Sequence, residues 1–398
     1  MKLFEYEKDC CGCTACESIC PKHAIYLKKN IEGFLYPFID RSLCVDCGLC
    51  KKVCDFQSRN NTIEVMCGYP QAWAVKHKKK EVIQCSTSGG AFTAISDYVL
   101  RNSGVVYGAI LDDDFDVKHS RAVSESERNA FRGSKYVQSD LEDIFASVKQ
   151  DLEKGRMVLF TGTPCQCSGL KSFLQNAKQS TERLILCDIV CHGTPSPLLW
   201  RKHIESIKKR YKKPLIDYQF RAKINGWHNH TEVALFKDGK SLYASSFIQK
   251  HKNLFYSHLT LRESCYNCKY TTTYRNTDIT IADFWGIEKI FPDWDDDTGI
   301  SLILVNNKKG SIVFDGIQTD LECRKVELKD CLQPQLQHPA SRPDGRDKFW
   351  QEYYQHGYDY VIHRYTNCNF KDNSYEFTTN VLRRTGLMKI VKKIIRKR

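Results

Sequence analysis

Beyond residue 70 the apolar residues of this chain fall into short runs separated by amphipathic stretches, and the two patterns alternate. Ala72–Lys76, Val105–Leu111, Met157–Phe160 and Leu184–Val190 are short aliphatic runs of the kind that form buried strands. Gly89–Leu100 and Leu141–Glu153 repeat apolar residues at three- and four-residue intervals and predict helices. Glu232–Ala244 predicts a hairpin that turns at Asp238-Gly239, a pair that tolerates the positive φ of a two-residue turn. Thr277–Ala282 and Ser301–Val305 add strands, and Asp347–Tyr358 predicts a helix. Ahead of these, Ile25–Leu27 and Phe34–Ile39 predict two short strands, and polar Gln57–Glu64 predicts a linker. The expected fold class is α+β or mixed α/β, a small module followed by a mixed-sheet domain.

At 398 residues the chain is long enough for two or three packed units. Its first residues show neither the apolar stretch nor the cleavage site of a signal peptide, and no run approaches the ~18 apolar residues of a membrane span. These features predict a soluble cytoplasmic protein. Thiols stay reduced in that compartment, so 20 cysteines point to metal or redox chemistry rather than a disulfide framework. A formal net charge of +13 admits nucleic acid, an anionic membrane surface or acidic ligands as partners. Nucleic acid is set aside, because no reader motif is present and the aromatics do not interleave with the basic residues.

The cysteine spacing narrows the chemistry. Cys10, Cys13, Cys16 and Cys20 are separated by two, two and three residues, and Cys44, Cys47, Cys50 and Cys54 repeat that spacing. This is the bacterial ferredoxin run, in which three thiolates of one run and the fourth of the other hold each 4Fe-4S cube. The expected ligands are Cys10, Cys13, Cys16 and Cys54 for a first cluster, and Cys44, Cys47, Cys50 and Cys20 for a second. Zinc fits such duplicated triplets poorly, since each ion takes four ligands in a closed tetrahedron. Gly12 and Gly48 allow tight turns beside sulfur. Cys11 has no place in the scheme.

Further motifs follow predicted strands. Ser86–Ala91 is a glycine-rich turn before a helix, a phosphate-binding geometry and equally a common helix cap. Gly162–Gln166 and Cys187–Gly193 lie where ligand loops of α/β sheets lie. Cys165, Cys191 and the pair Cys265 and Cys268 together make the complement of a third cube, with ordinary buried cysteines as the alternative. The acidic stretch Asp293–Asp297 lacks the ligand spacing of a calcium loop and reads as a solvated loop.

Taken in order, Gly162–Gln166, Cys191–Ser196, Phe220–Trp227, Cys265–Cys268, Thr277–Ile279 and Asp283–Gly286 resemble the coenzyme F-420 hydrogenase/dehydrogenase beta-subunit family. Ser88–Gly90 and Ser134–Ser139 resemble its shorter N-terminal half. The resemblance divides the chain into a 2×(4Fe-4S) ferredoxin-type domain at 1–60, the family's N-terminal domain at 68–150, its C-terminal domain at 155–345, and a helical extension with a basic tail at 346–398. It implies an FAD-containing iron-sulfur oxidoreductase that exchanges hydride with a small-molecule donor or acceptor and single electrons with a ferredoxin or other redox partner. It favours the third 4Fe-4S cluster on Cys165, Cys191, Cys265 and Cys268, with Cys167 and Cys187 as alternatives. Candidates for holding FAD are Ser88, Gly89, Gly90, Lys135, Tyr136, Ser139, Thr161 and Thr163, and Arg221 and Lys223 are candidates for an acidic substrate. The catalytic residues and the substrate stay open. A second reading is an electron-transfer subunit without a substrate of its own, serving a partner enzyme in a pathway such as a polysaccharide-related one.

Three oxidised cubes at roughly −2 each would offset about half of the net charge. What is left concentrates at the C-terminus. There Leu387, Ile390, Val391, Ile394 and Ile395 recur at helical spacing opposite Lys389, Lys392, Lys393, Arg396, Lys397 and Arg398. Such a helix suits peripheral contact with an anionic membrane at its inner face; docking on its own protein or fraying in solvent are the competing fates.

Overall fold

The computed structural model describes residues 3–58, 68–243 and 245–366. The described residues divide into two compact units, one ending at Arg346 and the other beginning at Asp347. The C-terminal basic segment from Leu387 lies outside the described residues, as do residues 59–64 of the expected linker.

The N-terminal module pairs β1 (Ile25–Lys29) with β2 (Leu35–Ile39) in antiparallel fashion, flanked by the short helices Ala15–Ser18 and Leu49–Lys52. The remainder of the first unit is built on an eight-stranded sheet. Its strands are β3 (Gln71–His77), β4 (Val105–Leu111), β5 (Val117–Ala122), β6 (Val158–Gly162) and β7 (Leu184–Ile189). A three-stranded antiparallel sheet follows in the chain, formed by β8 (Leu215–Ala222), β9 (Thr231–Phe236) and β10 (Ser241–Leu242). The large sheet is completed by β11 (Ile279–Asp283), β12 (Ser301–Val305) and β13 (Leu321–Val326), in the order β13-β3-β12-β11-β7-β6-β4-β5. Neighbours β4, β6, β7 and β11 run parallel, and the outer strands antiparallel. Segments 68–150 and 155–345 thus share one sheet.

Both faces of the parallel strands are covered, which is why these strands read as unbroken apolar runs. On one face Val106, Leu159, Ile185 and Ile279 pack against the helices Ala91–Arg101 and Lys308–Ile317. On the other, Val105, Tyr107, Val158, Phe160, Leu184 and Leu186 meet Phe145, Val148, Leu170 and Leu174 of the helices Ile144–Glu153 and Pro164–Asn176. Ala15 and Val53 of the N-terminal module join this second core.

Boundaries move by one to three residues from the sequence expectations, for local reasons. The first long helix begins at Ala91 because Gly90 caps it at φ +92, and the next begins at Ile144 because Glu142 turns at φ +41. Strands β5, β8 and β13 escape the hydrophobic pattern. β5 and β13 are edge strands with one covered face and polar residues on the other, so they carry little apolar signal. Asp293–Asp297 is also not simply solvated: Asp296 pairs with buried Lys76 at 2.6 Å, and Asp295 accepts from His228 at 2.8 Å. Among the described residues no helix is long and apolar enough to cross a membrane.

Candidate metal centre

The two N-terminal runs fold alike because they use the same backbone trick. Gly12 and Thr14 in the first run, and Asp46 and Gly48 in the second, all have positive φ, between +50 and +75. Two left-handed residues spaced by one wrap each loop around its thiols, and glycine fills only one of the two positions in each run. The backbone N–H groups of Gly12, Ala15 and Glu17 point at the sulfurs of Cys10, Cys13 and Cys16.

Cys20, Cys44, Cys47 and Cys50 line one cavity, walled by Ile25, Ile39 and Leu49. The Ala24 N–H reaches Cys20 Sγ at 3.3 Å. Cys10, Cys13, Cys16 and Cys54 form the other group. Burial, reinforced by the charges of Cys13 and Cys10, lifts the Cys16 thiol well above its ordinary range and Cys54 to about 11. Each group gathers four thiols, the donor set that a 4Fe-4S cube takes, with backbone N–H groups aimed at the sulfurs of the first run. The residues present therefore fit 4Fe-4S cubes. Among the described residues no three His, Cys, Asp or Glu side chains are close enough to hold a single ion.

The first run is pressed onto the helix Pro164–Asn176. A Cβ on Gly169 would lie 2.7 Å from Cys13 Sγ, so only glycine lets the run seat there. Asp55 accepts from Ser168 at 2.6 Å and from the Tyr270 hydroxyl at 2.8 Å, and Ser172 donates to the Val53 carbonyl at 2.9 Å. Gly169 is one helical turn from Cys165, which brings Cys165 to the same face.

There the structure gathers the second set of cysteines. Cys165 sits in the first turn after β6, Cys191 just beyond β7, and Cys265 and Cys268 in the turn around Glu263–Asn267. Burial and the neighbouring charges of the set push Cys191 well above its ordinary range and Cys268 up to about 12. Each sulfur has a local donor: Thr163 Oγ at 3.2 Å from Cys165, the Gly193 N–H at Cys191, the Thr194 N–H at 3.4 Å from Cys265, and the Tyr270 N–H at Cys268. Cys167 and Cys187 point elsewhere, into the apolar cores on opposite faces of the sheet. Cys11, without a place in the spacing, lies between the two groups. It hydrogen-bonds both Cys13 and Cys165, holding those thiols down while its own is raised, and it packs with Cys54 and Cys268.

The remaining candidates line the carboxyl-terminal edge of the parallel strands, where α/β sheets bind ligands. Ser88 Oγ donates to the Ile300 carbonyl at 2.6 Å, and a Cβ on Gly89 would collide with the Val75 carbonyl, so Ser88, Gly89 and Gly90 are held against β3 and β12. The Ser134 N–H donates to Thr87 Oγ1 at 3.1 Å, joining this turn to the 134–139 loop. Ser139 accepts from Gln166, whose Oε1 accepts from the Thr163 backbone N–H and hydroxyl. Thr161 Oγ1 donates to the Tyr107 carbonyl at 2.9 Å.

Lys135 donates to the Ala130 and Arg132 carbonyls, and burial lowers its pKa to about 7. Lys223 donates to the carbonyls of Ile83, Ser88 and Thr298, and burial lowers it to about 8. In this structure both amines tie loops together. Arg221 pairs with Asp283 at 3.2 Å, touches the Tyr136 hydroxyl at 3.4 Å and lies over the half-exposed ring of Trp285.

Two family descriptions match this arrangement. The C terminus of the coenzyme F420 hydrogenase/dehydrogenase beta subunit matches residues 155–330, and the 4Fe-4S dicluster domain matches residues 9–58. Over residues 155–330 the chain is therefore similar to the C-terminal part of the F420 hydrogenase/dehydrogenase beta-subunit family. The 4Fe-4S description falls on the duplicated cysteine runs, so the chain carries a ferredoxin-type iron-sulfur module ahead of the segment that matches the beta subunit. A chain of the xenon-derivatised F420-reducing [NiFe] hydrogenase complex from Methanosarcina barkeri is similar to it at 16% identity and a TM-score of 0.45, over 74% of this chain and 90% of that one. No curated protein matches significantly.

Proposed function

We propose that the protein is an iron-sulfur flavoprotein oxidoreductase, passing electrons between a hydride substrate, FAD and three 4Fe-4S clusters. The observation that carries this reading is the junction at Cys11, where ligand candidates of the first cluster and of the inner set pack against one side chain. A ferredoxin module joined to its partner domain through two cysteine sets is built for one-electron transfer over a short gap. The inner cube would be held by Cys165, Cys191, Cys265 and Cys268. FAD would be held along the carboxyl edge by Ser88, Gly89, Gly90, Lys135, Tyr136, Ser139, Thr161 and Thr163, and an acidic substrate would meet Arg221 and Lys223. Bound flavin takes two electrons as hydride and returns them singly. The chain's part is to offer backbone N–H groups and the Ser139 and Tyr136 hydroxyls, which accept from Gln166 and Arg221, on one side and the Arg221–Asp283 pair with Trp285 on the other.

The second reading, an electron-transfer subunit serving a partner enzyme, is favoured by the outer cluster. Cys47 is exposed, beside exposed Leu43 and Val45 and the basic Lys22, Lys51 and Lys52, an edge suited to an acidic redox protein. Flavin separates the two readings. Anaerobically purified protein is expected to hold about one FAD per chain; protein that lacks FAD and takes up none on reconstitution overturns the enzyme reading and leaves the relay.

A further inference from the structure

The first unit contains several deeply buried arginines, and all but one have a carboxylate. Arg128 pairs with Asp97, Arg275 with Asp188, and Arg346 with Glu32 and Glu263. Arg262 is 1% exposed and, among the described residues, forms no ion pair with an Asp or Glu. Its Nε donates to the Cys10 carbonyl at 2.9 Å, Nη1 to Gln138 Oε1 at 2.9 Å, and Nη2 to the Leu35 carbonyl at 3.0 Å. Nη2 also lies 3.7 Å from Cys10 Sγ, and the guanidinium stacks 4.0 Å from the centre of the Tyr36 ring. Gly12 admits this approach, since a Cβ there would lie 2.8 Å from Nη1. The Arg262 carbonyl in turn accepts the Cys265 N–H at 2.8 Å. One residue therefore touches the first run with its side chain and the inner set with its backbone.

Guanidinium stays charged at any ordinary pH, and a buried charge is costly unless an opposite charge meets it. The groups it touches are neutral carbonyls, an amide, the Tyr36 and Phe34 rings and Cys10, and its charge reaches more weakly to Cys11, Cys165 and Cys265. We propose that Arg262 is the resident counter-charge of the first 4Fe-4S cluster and raises that cluster's reduction potential. The inference rests on the cluster assignment of Cys10, Cys13, Cys16 and Cys54. Reduction adds one electron and no proton, taking the cube with its thiolates from about −2 to about −3, so a fixed positive charge at a ligand sulfur favours the reduced form. The second cluster has no such contact from Arg262 and serves as the internal reference.

The test is an anaerobic redox titration of the full chain with dithionite, followed by electron paramagnetic resonance. A Cys44→Ser/Cys47→Ser variant identifies the second cluster's signal and a Cys191→Ser/Cys268→Ser variant that of the inner set, which leaves the first cluster's signal assigned. Arg262→Gln is expected to move the first cluster to more negative potential by at least tenfold in the one-electron equilibrium, about 59 mV. The second cluster's potential should not move. Arg262→Lys, which keeps the charge, should stay closer to wild type, and Gln138→Glu, which sets a carboxylate beside the retained arginine, should shift the first cluster in the same direction as Arg262→Gln. An unmoved first-cluster potential in iron-replete Arg262→Gln overturns the proposal, as does an Arg262→Lys shift equal to it. Should Arg262→Gln lose iron, an unmoved potential in Gln138→Glu overturns it instead. Wild-type protein without four-iron clusters would sink the cluster assignment itself, a separate outcome read from iron and sulfide content before any titration.

Discussion

Gly169 shows how much of this protein depends on single side chains meeting across the sequence. Any Cβ there would collide with Cys13, so Gly169→Val should displace the first run. The expected result is loss of about four irons per chain while the signal of the second cluster, on Cys20, Cys44, Cys47 and Cys50, persists. Cys11 makes the opposite prediction: it contacts ligand candidates without being one, so Cys11→Ala should keep wild-type iron content, whereas Cys13→Ala should not. His119 is a residue-scale probe of folding. Burial holds its pKa at about 4, below the ordinary 6.5, with its ring stacked on Phe160. Below pH 6.5 the unfolded chain takes up a proton that the folded chain refuses until about pH 4, so stability falls with decreasing pH across that window. The slope from this one group is roughly 1.4 kcal/mol per pH unit. His119→Phe should flatten it, as measured by denaturant midpoints between pH 7 and 5.

At the scale of elements, the sequence and the structure agree where burial is symmetrical. β4, β6, β7 and β12 are covered on both faces, so their apolar runs stand out from the chain without any knowledge of partners. The cysteine runs were equally legible, because cluster ligation fixes residue type and spacing together. The edge strands β5 and β13 were not, since half of each faces water. Nor was the junction. Arg262 meets Cys10 across 252 residues and Asp55 meets Tyr270 across 215, and nothing in the local pattern of either segment records its partner. Cys11 was visible but uninterpretable, its meaning set by a helix that begins at Pro164. Ser88–Gly90 reads from the sequence as a ligand turn, and the structure shows a packing demand at the same place. Gly89→Ala would drive a methyl into the Val75 carbonyl and the Ser301 N–H, both backbone atoms. It should destabilise the protein by about 1–3 kcal/mol in chemical denaturation.

Across the first unit the parts follow one another in space: a second cysteine group with Cys47 exposed, a first group locked to the sheet domain, then the inner set at the carboxyl edge of the parallel strands. The excess of basic residues takes on a local meaning in this order. Arg262 faces a cysteine ligand candidate from within, and Lys22, Lys51 and Lys52 surround the outer group, where attraction to an acidic redox partner would weaken as salt is raised. On the proposed reading, electrons cross from the ferredoxin-type module to a third cube within residues 155–330. Its most direct measurement is iron and acid-labile sulfide per chain in anaerobically purified wild type and in Cys191→Ala. About twelve irons are expected in the wild type and about eight in the variant, with the two ferredoxin-type clusters retained. Eight irons in both proteins would contradict it.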